Sequence, residues 1–379
     1  EKVIKESYQF GCLKKLYAFC SFRIKNKRND CCLFFIPAQL SMDIVADISR
    51  LVDFMCYVNY FIVIVISITV FIFTVRFLTN TFSRLKITPQ GKAVLVTGCD
   101  SGFGHEFAKR LDSIGFHVFA TCLFPSGPGA LELKKSCSSK LHILHMDVTQ
   151  DESVKKGYEY VKENLQNSEM WAIVNNAGTA RGLYFEFLSV EDFEVCINVN
   201  FLGMVRVTKA FLPLVKQAKG RIVNVTSLIG VMPGPHISPY ASSKYAAVGF
   251  TDCIRQELDV SGVTVVSIEP EVFKTGLTSP EFYKKLKVSM MKHLDRTLEE
   301  DFVASFDKIG NFMTSFASDK VNIVVDDLEA AICLANPSYT YKPRRNILIR
   351  FYFFIYEIMP RSCQLLVAKL TLFIIYYFY

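Results

Sequence analysis

Apolar residues fall into three zones along the chain. From 54 to 75 no residue is charged, in the run FMCYVNYFIVIVISITVFIFTV. As a helix this run spans about 33 Å, enough for the hydrocarbon core of a bilayer. It predicts a transmembrane helix. A buried core helix is the alternative, but soluble cores rarely run so long without a charge. From about 91 to 270 the pattern changes. Short apolar runs at 93–97, 117–121, 141–148, 171–177, 221–227 and 263–270 alternate with stretches of helical spacing, such as 104–114 and 201–217. Regular β-α-β alternation predicts an α/β fold, a doubly wound parallel (Rossmann) sheet with helices on both faces and right-handed crossovers. From 347 to 379 the chain is again apolar. Here Glu357, Arg361 and Lys369 interrupt the run and Pro360 breaks it. This predicts an apolar C-terminal extension that lies at a membrane interface or re-enters it, in preference to a second span or an element of the domain core.

Charge and composition refine this division. The net charge is +7, but much of the excess lies in the first 28 residues, as Lys14, Lys15, Arg23, Lys25, Lys27 and Arg28. No basic footprint for nucleic acid runs along the chain. A hydrophobic content of 51% with 33 Phe excludes a disordered protein. The chain begins at Glu1, and its first Met is Met42. Residues 1–41 are expected to be upstream of a start at Met42 or part of a longer protein. A mitochondrial presequence is the alternative, with Glu1, Glu6 and Asp30 against it. Arg76, Arg84, Lys86 and Lys92 follow the apolar span, whereas Arg50 precedes it among Asp43, Asp47 and Asp53. The positive-inside rule therefore places residues after 75 in the cytosol. The twelve cysteines are irregularly spaced and form no C-x-x-C pair. They read as reduced, small apolar residues, with no metal-ligand spacing. The sequon Asn224-Val225-Thr226 falls in an expected core strand and is no evidence for secretion.

Candidate chemistry sits at the ends of the expected strands. Thr97-Gly98-Cys99-Asp100-Ser101-Gly102-Phe103-Gly104 follows the first strand and opens a helix. Glycines there permit a tight turn and close approach of backbone to a diphosphate, which the helix N-terminus attracts. Asn175-Asn176-Ala177-Gly178 ends the fourth strand, and Ser227 ends the fifth. Tyr240 and Lys244 are spaced i,i+4, so on a helix they share a face. An ammonium beside a phenol favours the phenolate and lowers its pKa.

Together these motifs resemble the short-chain dehydrogenase/reductase family. Its T-G-x-x-x-G-x-G, N-N-A-G, helix Asn (here Asn200), Ser and Y-x-x-x-K patterns all occur here, in order and at the family's spacing, over roughly residues 90–335. TGCDSGFG, Gly-Pro-Gly-Ala at 127–130 and Phe211-Leu212-Pro213-Leu214 resemble the branch of 17-beta-hydroxysteroid dehydrogenase type 2 and D-3-hydroxybutyrate dehydrogenase, whose members carry hydrophobic extensions and associate with membranes. The resemblance implies a division into an N-terminal segment (1–53), a transmembrane helix (54–75), a Rossmann domain (88–335) with a substrate lid (276–335), and a membrane-associated tail (336–379). It implies an endoplasmic reticulum membrane, with the mitochondrial inner membrane as the alternative. It also implies a homo-oligomer formed through the helices holding Asn200 and Tyr240.

The residue roles it implies are these. Tyr240 is the general acid/base, Lys244 lowers its pKa and holds the nicotinamide ribose, Ser227 positions the substrate oxygen, and Asn200 holds a relay water. Cofactor contacts fall to Thr97, Gly98, Ser101, Gly102, Phe103, Gly104, Cys122, Asp147, Asn175, Asn176, Ala177, Gly178, Pro270 and Thr275, with Tyr240 and Lys244. Asp147 lies near the adenine. After the second strand stand Cys122, Leu123 and Phe124, with no base for a 2′-phosphate, so NAD is expected over NADP. One position departs from the family. Glu271 follows Pro270 where the family usually has Gly. An inward side chain would crowd the cofactor; an outward one would only remove backbone freedom.

The expected substrate is a hydrophobic secondary alcohol or ketone, a steroid first. Tyr283, Leu286, Met290, Met291, Phe302, Phe306 and Phe312 either line the lid or pack its helices. D-3-hydroxybutyrate is an alternative, for which Lys284, Lys285, Lys287 or Lys292 could supply a cation; retinol is another. An inactive cofactor-binding scaffold is the rival from a different class, with Glu271 its one support. His142 and His145 read as sheet residues, whereas for His236, four residues before Tyr240, contact with the substrate pocket is the less favoured of two readings.

Overall fold

A computed structural model describes residues 38–82, 85–182, 184–291 and 299–378; the basic segment 1–37 and Lys292 lie outside them. The chain divides into two compact units, residues 1–78 and 79–379. What is described of the first is one helix, α1 (Ala38–Phe82). Residues 46–75 are exposed all round, and this stretch is long and apolar enough to cross a membrane. A core helix would have a buried face. Two of its hydroxyls are satisfied within the helix: Thr69 and Thr74 donate to the carbonyls of Val65 and Val70 at 2.7 and 2.8 Å.

The second unit is built on a seven-stranded parallel sheet in the order β3-β2-β1-β4-β5-β6-β7. The elements run β1 (Lys92–Val96), α2 (Gly102–Ile114), β2 (His117–Cys122), α3 (Pro128–Ser136), β3 (Leu141–His145), α4 (Asp151–Asn164), β4 (Glu169–Asn175), α5 (Val190–Ile197), a π-helical turn (Asn198–Leu202), α6 (Gly203–Gln217), β5 (Arg221–Val225), α7 (Ser238–Asp259) and β6 (Thr264–Ile268). A helical insertion follows, α8 (Pro280–Met291) and α9 (Glu299–Phe316), then α10 (Asn322–Cys333), β7 (Thr340–Tyr341), α11 (Ile347–Ile358) and α12 (Arg361–Phe378). The strand order reverses between β1 and β4, and at such a switch point the carboxyl ends of the strands open a crevice for a ligand.

Two apolar layers enclose the sheet. On one face Phe107 and Leu111 of α2 meet Val324, Leu328 and Ile332 of α10; on the other Val161, Val207, Phe211, Val215 and Leu258 cover Leu95, Ile173 and Ile222. Arg221, 2% exposed, donates to the carbonyls of Ala331 and Ile332 at the end of α10 and stacks on Trp171. A cation suits a helix C-terminus. Asn224 is fully buried on β5, so its sequon offers no acceptor surface.

Several strands stop before their apolar runs do: β3 at His145 and β5 at Val225. Apolar run length reports burial, and the residues just beyond these strands remain buried while leaving the ladder. β7 was not expected; with two residues paired to Ser267 and Ile268 it has no period to read. The C-terminal break falls where Pro360 predicts. α11 is capped by Asn346, whose Oδ1 accepts from Ile349 N at 2.9 Å, and it buries Phe353 and Tyr356 while exposing Ile347, Leu348, Phe351 and Phe354.

Candidate active site

The turn after β1 is shaped by its glycines. Gly98 and Gly102 have φ of +69° and +67°, which side chains rarely tolerate. A Cβ on Gly104 would lie 2.3 Å from Asn176 Nδ2 and 2.7 Å from Gly98 O, so only glycine lets α2 sit against the turn. Ser101, the N-cap of α2, is extended and caps none of the first N–H groups with its hydroxyl. Those groups and the helix dipole suit an anion. The N-N-A-G segment secures the turn. Asn176 Nδ2 donates to Thr97 O and Gly98 O at 2.8 and 3.1 Å, and Thr97 Oγ1 accepts from Asn176 N and Ala177 N at 2.9 and 3.0 Å. Asn175 is buried, donating to Thr208 and Asn224 at 2.9 and 2.8 Å. The side chains of both asparagines are thus engaged by the protein itself.

At the end of β2, Cys122 is fully buried in the core and its thiol is pushed up to about 12 by burial, with Asp100 adding to the effect. Leu123 and Phe124 are the exposed residues there. Asp100, in the glycine turn, accepts their two backbone N–H groups, each at 2.9 Å. Asp147 lies two residues beyond β3 and accepts from Thr149 N and Oγ1 at 2.9 and 2.7 Å.

Ser227, Asn200 and the Tyr240–Lys244 pair come from three separate elements. Ser227 caps a short turn after β5 and accepts from Ile229 N at 3.2 Å. Tyr240 and Lys244 lie on α7. Lys244 is 4% exposed; its Nζ donates to Val225 O at 2.9 Å and stands 5.7 Å from the centroid of the Tyr240 ring. Burial pushes this ammonium down to about 8. Burial also pushes the Tyr240 phenol up, partly offset by a hydrogen bond with Ser227. Sequence reasoning expected a lowered phenol. Here Lys244 is directed to a carbonyl, and desolvation of the phenolate dominates. Asn200 sits in the π-helical turn, a distortion frequent at functional sites. Its Oδ1 accepts from Thr179 N at 2.8 Å, and its Nδ2 donates to Thr179 O and Ser243 Oγ at 2.9 and 2.8 Å. A Cβ on Gly178 would lie 3.4 Å from Asn200 Oδ1 and 4.0 Å from Lys244 Nζ, so the strand-four loop meets both. Thr179 and Ser243 orient Asn200, and nothing in their sequence positions marks them for that role.

Pro270 O accepts from Leu228 N at 2.9 Å, joining the β6 loop to the Ser227 turn. Thr275 rests on the glycine turn: a Cβ on Gly102 would lie 3.2 Å from Thr275 Cβ. Glu271 follows neither path considered for it. Its side chain is 1% exposed and accepts from Arg345 Nε at 3.0 Å and from the Arg345 backbone N.

His236 adopts φ of +63°, and its ring lies 4.2 Å from that of Tyr184. Burial pushes its imidazole down, towards the neutral form. His142 meets Tyr160 Oη at 3.1 Å, whereas His145 is exposed. In the insertion, Leu286, Met290, Phe302 and Phe306 pack with Phe187 into a small core of their own, and Phe312 stacks on Phe316. Lys287 is bound by both carboxylate oxygens of Asp307 at 2.8 Å; Lys284 and Lys285 are exposed.

The left-handed glycine turn, the uncapped start of α2 and the buried ammonium fit a nicotinamide dinucleotide. Gly98, Ser101, Gly102 and Phe103 could face its diphosphate, and Lys244 with Tyr240 its ribose.

Known proteins show the family to which the chain belongs. Residues 92–285 match the short chain dehydrogenase family model. Mouse (Mus musculus) estradiol 17-beta-dehydrogenase 2 is 44% identical over 260 residues, 67% of this chain and 68% of that protein. Rat (Rattus norvegicus) mitochondrial D-beta-hydroxybutyrate dehydrogenase is 38% identical over 274 residues, 70% of this chain and 80% of that one. A crystal structure of a short chain dehydrogenase/reductase from Burkholderia phymatum in complex with NAD superposes with a TM-score of 0.60 at 20% identity, covering 70% of this chain and 93% of that chain. That likeness is one of fold. With a family model matching half the chain and relatives well above 30% identity, the chain belongs to the short-chain dehydrogenase/reductase family and is an oxidoreductase.

Proposed function

We propose that this chain is a membrane-anchored, NAD-dependent dehydrogenase that transfers a hydride between the nicotinamide and a hydrophobic secondary alcohol or ketone, a steroid first. The convergence of Ser227, Tyr240, Lys244 and Asn200 on one strand-end crevice carries this reading. NAD, when bound, accepts the hydride. Ser227 Oγ holds the substrate oxygen. Tyr240 Oη takes the hydroxyl proton during oxidation and returns it during reduction. Lys244 keeps positive charge beside the phenol, and Asn200, braced by Thr179 and Ser243, supports proton exchange with solvent.

Asp100 supports NAD over NADP. Its carboxylate stands at the end of β2, where a 2′-phosphate would meet negative charge. The insertion acts as the substrate lid, and its apolar packing favours a hydrophobic substrate. Lys287 is already neutralised by Asp307, which disfavours an anionic substrate such as hydroxybutyrate. The exposed apolar residues of α1 and α11 bind membrane lipid, with the catalytic unit in the cytosol and the endoplasmic reticulum as the membrane. A homo-oligomer forms through α6 and α7.

NADH formation by the detergent-solubilised protein tests this. Estradiol, testosterone, retinol and D-3-hydroxybutyrate are each offered with NAD and with NADP. A steroid should be turned over with NAD, and Tyr240→Phe should lower the rate by about 10²–10⁴ while still binding NADH. Turnover of hydroxybutyrate alone would overturn the steroid assignment.

A further inference from the structure

The residue that departs from the family pattern has a specific partner. Glu271 lies within the loop that runs from the end of β6 at Ile268 to Thr275, which rests on the glycine turn. Its carboxylate, almost fully buried, is held by the Nε and the backbone N–H of Arg345. The same guanidinium donates through Nη1 to Phe316 O at 2.7 Å and lies 4.4 Å over the Phe316 ring. Phe316 is the last residue of α9, where the insertion returns to the domain. The two feet of the insertion also pair directly. Lys274 N donates to Ser318 O at 2.7 Å, and Ser318 N donates to Val272 O at 3.0 Å. Arg345 stands immediately before Asn346, the N-cap of α11. Neighbouring Arg344 fastens the same stretch, donating to Glu269 O at 2.6 Å and stacking on Phe353 of α11.

We propose that Glu271 and Arg345 are a positioning pair that clamps both feet of the helical insertion to the base of the C-terminal helices, and so holds the Pro270–Thr275 loop in register with the glycine turn. Neither residue touches substrate or cofactor; both act through the loop and through Phe316. Arginine is needed because one planar fork serves a carboxylate and a carbonyl while stacking on a ring; a lysine has a single point of charge. The clamp also explains how Glu replaces the family's Gly without obstructing the site. Its carboxylate is drawn away into an ion pair formed with the tail.

The clamp itself does not depend on the substrate; its link to the lid rests on the function proposed above. The test uses the full-length, detergent-solubilised protein with Glu271→Gln, Arg345→Lys and Arg345→Ala. Glu271→Gln is nearly isosteric and guards against a variant that fails to fold. Chymotrypsin cleavage is mapped by mass spectrometry, and NADH affinity is read from its fluorescence. In Glu271→Gln, cleavage within 280–316 should rise about tenfold relative to cleavage in the sheet domain, the size expected when a charge-assisted hydrogen bond becomes a neutral one. NADH should bind several-fold more weakly. Arg345→Lys should fall between wild type and Arg345→Ala. The clamp is overturned if cleavage within 280–316 in Glu271→Gln stays within twofold of wild type, or if the whole domain is cut in parallel. Expected cleavage in a protein that oxidises no steroid would uphold the clamp and sink the substrate assignment instead.

Discussion

Lys244 shows how a site residue works against stability. It holds a charge in a pocket where only 4% of its surface meets water. Burial lowers its pKa to about 8 from an ordinary value of 10.5. Between those values the unfolded chain binds the proton more readily, so stability rises with pH across that window and the full cost of the buried cation applies below it. The shift corresponds to a cost on the order of 3 kcal/mol. Lys244→Met should therefore gain most thermal stability over wild type near pH 7, and the gain should shrink by pH 10. Calorimetry of both proteins across that range checks it; a pH-independent difference would show that the ammonium is not penalised. The i,i+4 spacing of Tyr240 and Lys244 was legible from the sequence. The direction of the Tyr240 shift was not, because desolvation depends on what the fold stacks around the ring.

At the scale of elements, the alternating pattern supplied β1 to β6 and the glycine turn, since period and turn chemistry are local properties. It overran the ends of strands. It also placed Cys122 towards the cofactor, whereas β2 turns that side chain into the core and presents Leu123 and Phe124 instead. Asp100 took the role of tying that strand end down, a contact across 23 residues that no local pattern reports. If its charge governs cofactor choice, Asp100→Asn should raise kcat/KM for NADP relative to NAD by about tenfold, an effect of roughly 1.4 kcal/mol for one charge near a phosphate. Steady-state kinetics with both cofactors decides it, and an unchanged ratio would shift the preference to another residue.

The whole molecule joins an apolar helix, a Rossmann unit and a C-terminal pair of helices with an exposed apolar face. The orientation proposed above, read from the basic residues that follow the span, puts the catalytic unit in the cytosol. Protease added to sealed microsomes should then digest residues beyond the span without detergent; protection until detergent is added would reverse the orientation.

By itself, the sequence determined the apolar span, the β-α-β order and the Ser227, Tyr240 and Lys244 pattern, because periodicity and motif spacing are properties of neighbours along the chain. The tertiary structure decided which polar groups are free. It committed Asn175 and Asn176 to the protein, used Thr179 and Ser243 to orient Asn200, and drew Glu271 towards Arg345, 74 residues away. A carboxylate leaving water requires a partner, and only the folded chain brings that partner within reach.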